Sequence, residues 1–167
     1  MTALVPVPIV VMGVSGSGKT TIGAAVAAAL ARPFVDGDAL HPPANVAKMA
    51  AGHALDDDDR RPWLEAVGEL LRSDPSVVIA CSALRYRYRD RLRSRCARTF
   101  FVHLSVPEPI LEQRLAARTE HFMPPELLRS QLTTLEPLQP DESGIMVDCA
   151  GPVSGIVAYI LDRLERR

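Results

Sequence analysis

Five short apolar runs punctuate the chain: "PIVVMG" (8–13), "PFVDGD" (33–38, ending in acids), "SVVIACSA" (76–83), "TFFVHLSV" (99–106) and "GIMVDCAG" (144–151). None alternates apolar with polar positions, as a strand with one wet face would, so they read as strands buried on both faces. The stretches between them read as helices over 20–31, 42–51, 61–72 (with Pro62 in its first turn), 85–95, 107–117 and 153–166. Strand and helix in alternation predict an α/β fold: a doubly wound, parallel, five-stranded sheet with helices on both faces. No internal repeat, linker or low-complexity segment interrupts the 167 residues, which predicts a single domain over 1–167.

Composition narrows the partners. Apolar residues make up 47% and charged residues 23%, with a net charge of −1. That balance offers nucleic acid or an anionic membrane no bulk electrostatic attraction. The apolar stretch 4–12 has no basic segment before it and no small-residue cleavage site after it, so it reads as the first strand. No apolar run approaches the ~20 residues that span a bilayer. Three cysteines without metal-type spacing read as free thiols, and the expected location is the cytoplasm.

The first strand runs straight into chemistry. Gly13-Val14-Ser15-Gly16-Ser17-Gly18-Lys19-Thr20 fits G-x-x-x-x-G-K-[ST], directly after a strand and before a helix. In that context backbone amides cradle phosphate oxygens, and the helix N-terminus adds partial positive charge. Lys19 is expected on the β- and γ-phosphates of ATP, Thr20 on Mg²⁺, and Thr21 beside the same nucleotide. No Asn-Lys-x-Asp guanine-reading motif is present, and "DESG" (141–144) lies near the C-terminus, which excludes a GTPase switch. A chain this short, with Asp36 and Asp38 closing its second strand beside the loop, points to a kinase acting on a small acceptor. Of the two carboxylates, one is expected to hold Mg²⁺ through water (Asp36). The other, Asp38, is expected to orient or deprotonate the acceptor hydroxyl.

Four stretches carry a resemblance: "MGVSGSGKTT", "DGDALHPPANVAKMAAGHALDDDDRRPWL", "CSALRYRYRDRLR" and "RLAARTEHFMPPELLRSQLTTLEP". Together, over residues 9–148, they resemble the gluconokinase family of P-loop kinases, structurally akin to shikimate and adenylate kinases. The resemblance implies ATP- and Mg²⁺-dependent phosphorylation of the 6-hydroxyl of D-gluconate, a small lid over about 117–135, and a homodimer. It implies a substrate set of Asp38, His41, Lys48, Arg60, Arg85 and Arg89, with Arg60 and then Arg85 preferred as the carboxylate clamp because the guanidinium fork binds bidentately. His41 serves equally well as a capping or core histidine. Of the acidic run 56–59 only Asp58 is singled out, and Trp63 reads as core. Helical spacing lets Arg85 and Arg89 point into the cleft together.

By the same resemblance Arg114 would lie against adenine and Arg118 would reach the transferring phosphate as an internal arginine finger. Pro152, closing "CAGP" (149–152), would edge the adenine pocket, and Glu120 stands where relatives often have Gly. Shikimate kinase is the competing enzyme. It carries a Gly-rich triplet where this chain has "CSAL" (81–84), and an Arg where this chain has Glu136. A catalytically silent nucleotide-binding regulator is the alternative outside enzymology; intact Lys19, Thr20, Asp36, Asp38 and Arg118 count against it.

Overall fold

The computed structural model describes residues 5–118 and 124–167. Its elements follow in the order β1 (Ile9–Met12), α1 (Lys19–Ala29), β2 (Phe34–Asp36), a 3-10 turn (Gly37–Leu40), α2 (Pro43–Ala50) and α3 (Asp57–Ser73), then β3 (Val78–Ala80) and α4 (Tyr86–Arg95). After these come β4 (Phe100–Ser105), α5 (Glu108–Ala116), α6 (Pro125–Thr134), β5 (Gly144–Asp148) and α7 (Val153–Glu165). All pairings are parallel, in the order β2-β3-β1-β4-β5. The chain leaves β1 towards one edge and returns past it to build the other. The crevice beyond the C-terminal end of β1 is therefore the switch point where open α/β sheets bind ligands.

The wholly apolar strands are explained by two layers of core. Ile9, Val11, Phe100 and Val102 face α1 and α7, meeting Ile22, Val26, Ile156 and Ile160. Their neighbours Val10, Met12, Ile79 and Phe101 face the other way, onto Trp63, Val67 and Leu71 of α3 and Leu92 of α4. Every residue of β1 is fully buried, and each such aliphatic side chain contributes about 1.5–3 kcal/mol of transfer free energy. A third, smaller cluster joins Val14 of the phosphate loop to Leu111 and Leu115 of α5 and Leu128 of α6. It docks α6 onto the loop itself.

Two helices depart from the sequence expectation, and so do the edge strands: β2 is only half-buried and β5 exposes Met146. Helix α3 starts at Asp57 instead of residue 61, because Asp56 caps it. The Asp56 carboxylate accepts from Asp59 N at 2.8 Å and Asp59 accepts in return from Asp56 N at 2.9 Å, a reciprocal box that outweighs the proline inside the helix. Helix α6 rises within the stretch that the resemblance makes a lid. Among the described residues no helix is long and apolar enough to cross a membrane.

Candidate active site

The phosphate loop spans Gly13 to Thr20. Gly13, Gly16 and Gly18 all have positive φ, the conformation that turns successive amides to one side. Lys19 Nζ donates to Val14 O at 3.0 Å, bridging the loop. Burial pulls its pKa down, and the neighbouring Asp38 carboxylate opposes that pull.

Beside the loop, Thr20 Oγ1 donates to Asp36 Oδ2 at 3.3 Å, and Asp36 Oδ1 accepts from Asp38 N at 3.0 Å. Asp36 thereby caps the 3-10 turn that presents Asp38. The residue between the two acids has to be glycine, since a Cβ on Gly37 would lie 2.5 Å from the Ala80 carbonyl oxygen.

Two cavities share the loop. The larger, about 330 Å³, is lined by Gly16, Ser17, Gly18, Thr21, Arg114, Arg118, Cys149 and Gly151. The smaller, about 120 Å³, is lined by Ser15, Lys19, Asp38, His41, Arg60, Trp63, Leu127, Ser130 and Gln131, among others. The first, bordered by the loop backbone and two arginines, suits a nucleotide, and the second, with Asp38 and Arg60, suits a small polar acceptor.

The floor of the acceptor cavity is core. Trp63 is 1% exposed, donates Nε1–H to Gly37 O at 2.8 Å, and carries the His41 ring stacked on it at 4.3 Å. It is core, as expected, and a platform as well. Buried Asn45 donates to Asp59 O at 2.7 Å and lies 3.3 Å from His41 Nδ1. With Nδ1 accepting, the His41 proton sits on Nε2, and burial lowers the ring's pKa, favouring this neutral form. Arg60 donates to Leu55 O at 2.5 Å and to the Tyr88 hydroxyl at 3.0 Å. Tyr88 in turn donates to Asp57 at 2.6 Å.

Other substrate candidates are placed elsewhere. Arg89, expected to point into the cleft, is fully buried and bidentate to Glu142, through Nε–Oε1 at 2.6 Å and Nη2–Oε2 at 3.0 Å. It also donates to Ala83 O and Pro137 O. Its helical spacing from Arg85 is as read, but Glu142, 53 residues away, takes Nε and Nη2, and backbone carbonyls take the rest of the guanidinium. Lys48 is paired with Asp59 at 2.6 Å, tying α2 to α3, and it is Met49 that lines the cavity. Arg85 is the residue that caps the start of α4; its Nε is buried with no hydrogen-bond partner among the described residues. Asp58 is exposed and pairs with Arg61 at 2.7 Å.

On the nucleotide side, Arg114 donates to Gly16 O at 3.2 Å and Cys149 O at 2.9 Å, so it brackets the loop against the β5–α7 turn while edging the cavity. Arg118 is exposed on the same cavity, close enough for its charge to act on Lys19. Pro152 caps α7 and lines a hollow with Ser105, Met146 and Tyr159 that adjoins the nucleotide cavity through Gly151 and Ile156. Residues 119–123, including Glu120 within the expected lid, lie outside the described residues.

Three residues escaped the sequence reading. Gln131 accepts from Ser15 N at 2.7 Å, Tyr88 holds Arg60, and Glu136 accepts from Tyr86 N at 2.7 Å, capping a helix whose own cap residue makes no side-chain bond. Of the three, only Glu136 drew attention in the sequence, as a difference from shikimate kinase.

The Thr20 hydroxyl and Asp36 carboxylate are hard oxygen donors side by side, a donor set that fits Mg²⁺. Among the described residues no cluster of three or more acidic, His or Cys ligands forms. Magnesium in phosphoryl-transfer sites needs none, because phosphates and water complete its shell.

Sheet order, phosphate loop and paired cavities define a P-loop kinase for a small acceptor. The sequence matches the Shikimate kinase family over residues 15–164. It is 40% identical over 162 residues to the thermoresistant gluconokinase of Escherichia coli (strain K12), covering 94% of this chain and 93% of that one. It is 48% identical over 143 residues to the gluconokinase of Gluconobacter oxydans (strain 621H), covering 83% and 80%. The crystal structure of a gluconokinase from Sinorhizobium meliloti 1021 superposes with a TM-score of 0.90 at 50% identity, over 96% of this chain and 93% of that one. The chain belongs to the gluconokinase family, within the wider shikimate kinase family whose pattern it also matches.

Proposed function

We propose that the protein transfers the γ-phosphoryl group of ATP to the 6-hydroxyl of D-gluconate, giving 6-phospho-D-gluconate and ADP. The observation that carries this reading is a single cavity holding Lys19, Asp38, His41 and Arg60 together. Gluconate is a flexible polyhydroxy anion. Its carboxylate needs a guanidinium, which Arg60 offers. Its hydroxyls need acceptors and donors, which Asp38 and the Nε2–H of His41 supply.

In the reaction the acceptor oxygen attacks the γ-phosphorus as the bond to the β–γ bridging oxygen breaks, and the hydroxyl proton passes to Asp38. Lys19 and Arg118 offset charge on the equatorial oxygens, where a loose phosphoryl transition state concentrates its demand. Mg²⁺, held by Thr20 and Asp36, would neutralise phosphate charge when bound. The segment 117–135 acts as a lid in this reading, and the enzyme works in the cytoplasm as a homodimer, without a nucleic-acid partner.

A coupled ADP-release assay across gluconate, shikimate, other sugar acids and nucleoside monophosphates tests the acceptor. Turnover is expected with gluconate and little with shikimate; equal or greater turnover on shikimate overturns the assignment. The two acids are separated by titrating Mg²⁺ against turnover. Asp38→Asn is expected to lose turnover at every Mg²⁺ concentration while still binding ATP. Asp36→Asn should recover part of its loss as Mg²⁺ rises, and the opposite pattern would mean the roles are exchanged.

A further inference from the structure

Gln131 stands on α6, which packs Leu128 against Val14 of the phosphate loop, so helix and loop form one unit. From there its Oε1 accepts from Ser15 N at 2.7 Å, across 116 positions of sequence. A backbone amide is only a donor, so chemistry fixes the side chain's orientation. The carbonyl faces the loop, and the two Nε2–H donors remain for the cavity that Gln131 shares with Asp38 and Arg60.

The loop is divided between the two cavities. Gly16, Ser17 and Gly18 line the nucleotide cavity, whereas Ser15 lines the acceptor cavity. A nucleotide reaches Ser15 only with its terminal phosphate. On this division the Ser15 amide would serve a triphosphate and not a diphosphate.

We propose that Gln131 is a positioning residue that competes with the terminal phosphate of ATP for the Ser15 amide and, once displaced, turns its own amide to the acceptor's hydroxyls. The proposal rests on the assignment of the two cavities to nucleotide and acceptor. A phosphate oxygen wins the competition because a hydrogen bond to an ionised acceptor is roughly twice as strong as one to a neutral carbonyl. Arrival of the phosphoryl donor thereby releases the group that aligns its acceptor, and the two substrates are coupled through one side chain.

Two variants push the competition in opposite directions. Gln131→Met keeps the length and helix preference but has no acceptor for the amide. Gln131→Glu keeps the acceptor and adds a negative charge beside the incoming phosphate. Dissociation constants are measured by calorimetry for the β,γ-imido analogue of ATP and for ADP, both with Mg²⁺ and without acceptor. The Met variant is expected to bind the analogue ~3-fold more tightly and the Glu variant ~10-fold more weakly, with ADP affinity preserved in both.

Preserved ADP binding also shows that the variants are folded. Changes of the same sign for both nucleotides, or an unchanged ratio of the two affinities, overturn the competition. With gluconate present, the Met variant is expected to raise KM about 10-fold, with kcat changing less. An unchanged KM overturns the acceptor contact. Because the calorimetry contains no gluconate, a wild-type enzyme inactive on gluconate would sink the substrate assignment and leave the Gln131 result readable.

Discussion

Lys19→Ala is expected to lower phosphoryl transfer by more than ~100-fold with the fold intact, the loss typical of removing one preorganised charge from a transition state. The ammonium lines the acceptor cavity, near the Asp38 carboxylate and bonded to the carbonyl of Val14. Its only hydrogen bond within the described residues is to that carbonyl, so little of the structure leans on it. Turnover and the far-ultraviolet dichroism of the variant are measured together. A folded variant with near wild-type turnover would remove the phosphate role from Lys19, and with it the charge on which transfer depends.

The largest effect on stability is expected away from both cavities, where α4 meets the segment before β5. Arg89 and Glu142 form a pair with no exposure on either side chain. Removing one partner of such a pair leaves an uncompensated charge in the interior, at a cost of about 3–5 kcal/mol. Arg89→Met should therefore lower the melting temperature by roughly 10 °C or more in a protein of this size. Arg93, 3.4 Å from the same carboxylate, can relieve part of the deficit. The double variant Arg89→Met, Glu142→Leu should recover much of the loss, since an apolar pair of similar volume can replace a buried ion pair. A single variant as stable as the wild type would show that the pair is not what joins α4 to the segment before β5. The wild-type KM for gluconate, preserved in a folded double variant, would in turn exclude Arg89 from the substrate site.

Arg89 also marks where the sequence stops being legible. Local signals led to the right places: the phosphate loop because its spacing is contiguous, Asp36 and Asp38 because they end and follow a strand beside it, and the five strands because each is a short apolar run, although β2 and β5 at the sheet edges are not buried on both faces. What escaped depends on partners remote in sequence. Arg85 and Arg89 share a helix face, but whether that face meets substrate or Glu142 is decided 53 residues downstream. Gln131 reads as an ordinary polar position until α6 brings it to Ser15. Lys48 carries a charge suited to gluconate, yet Asp59 takes it when α2 docks on α3. The start of α3 is local: the apolar pattern begins at residue 61, and the reciprocal bonds of Asp56 and Asp59 carry the helix back through the acidic run.

The two walls of the acceptor cavity differ in what they owe to the rest of the molecule. Trp63 on one wall is also a central core side chain, sealed against β1 and β3, so any change there is felt as lost stability before it is felt as altered preference. Ser130 and Gln131 on the other wall ride on a helix that meets the remainder through a few leucines. An evolving or engineered lineage has little freedom on the first wall and much on the second. New acceptor preferences in this fold should be acquired by rewriting α6, with the tryptophan floor carried along unchanged.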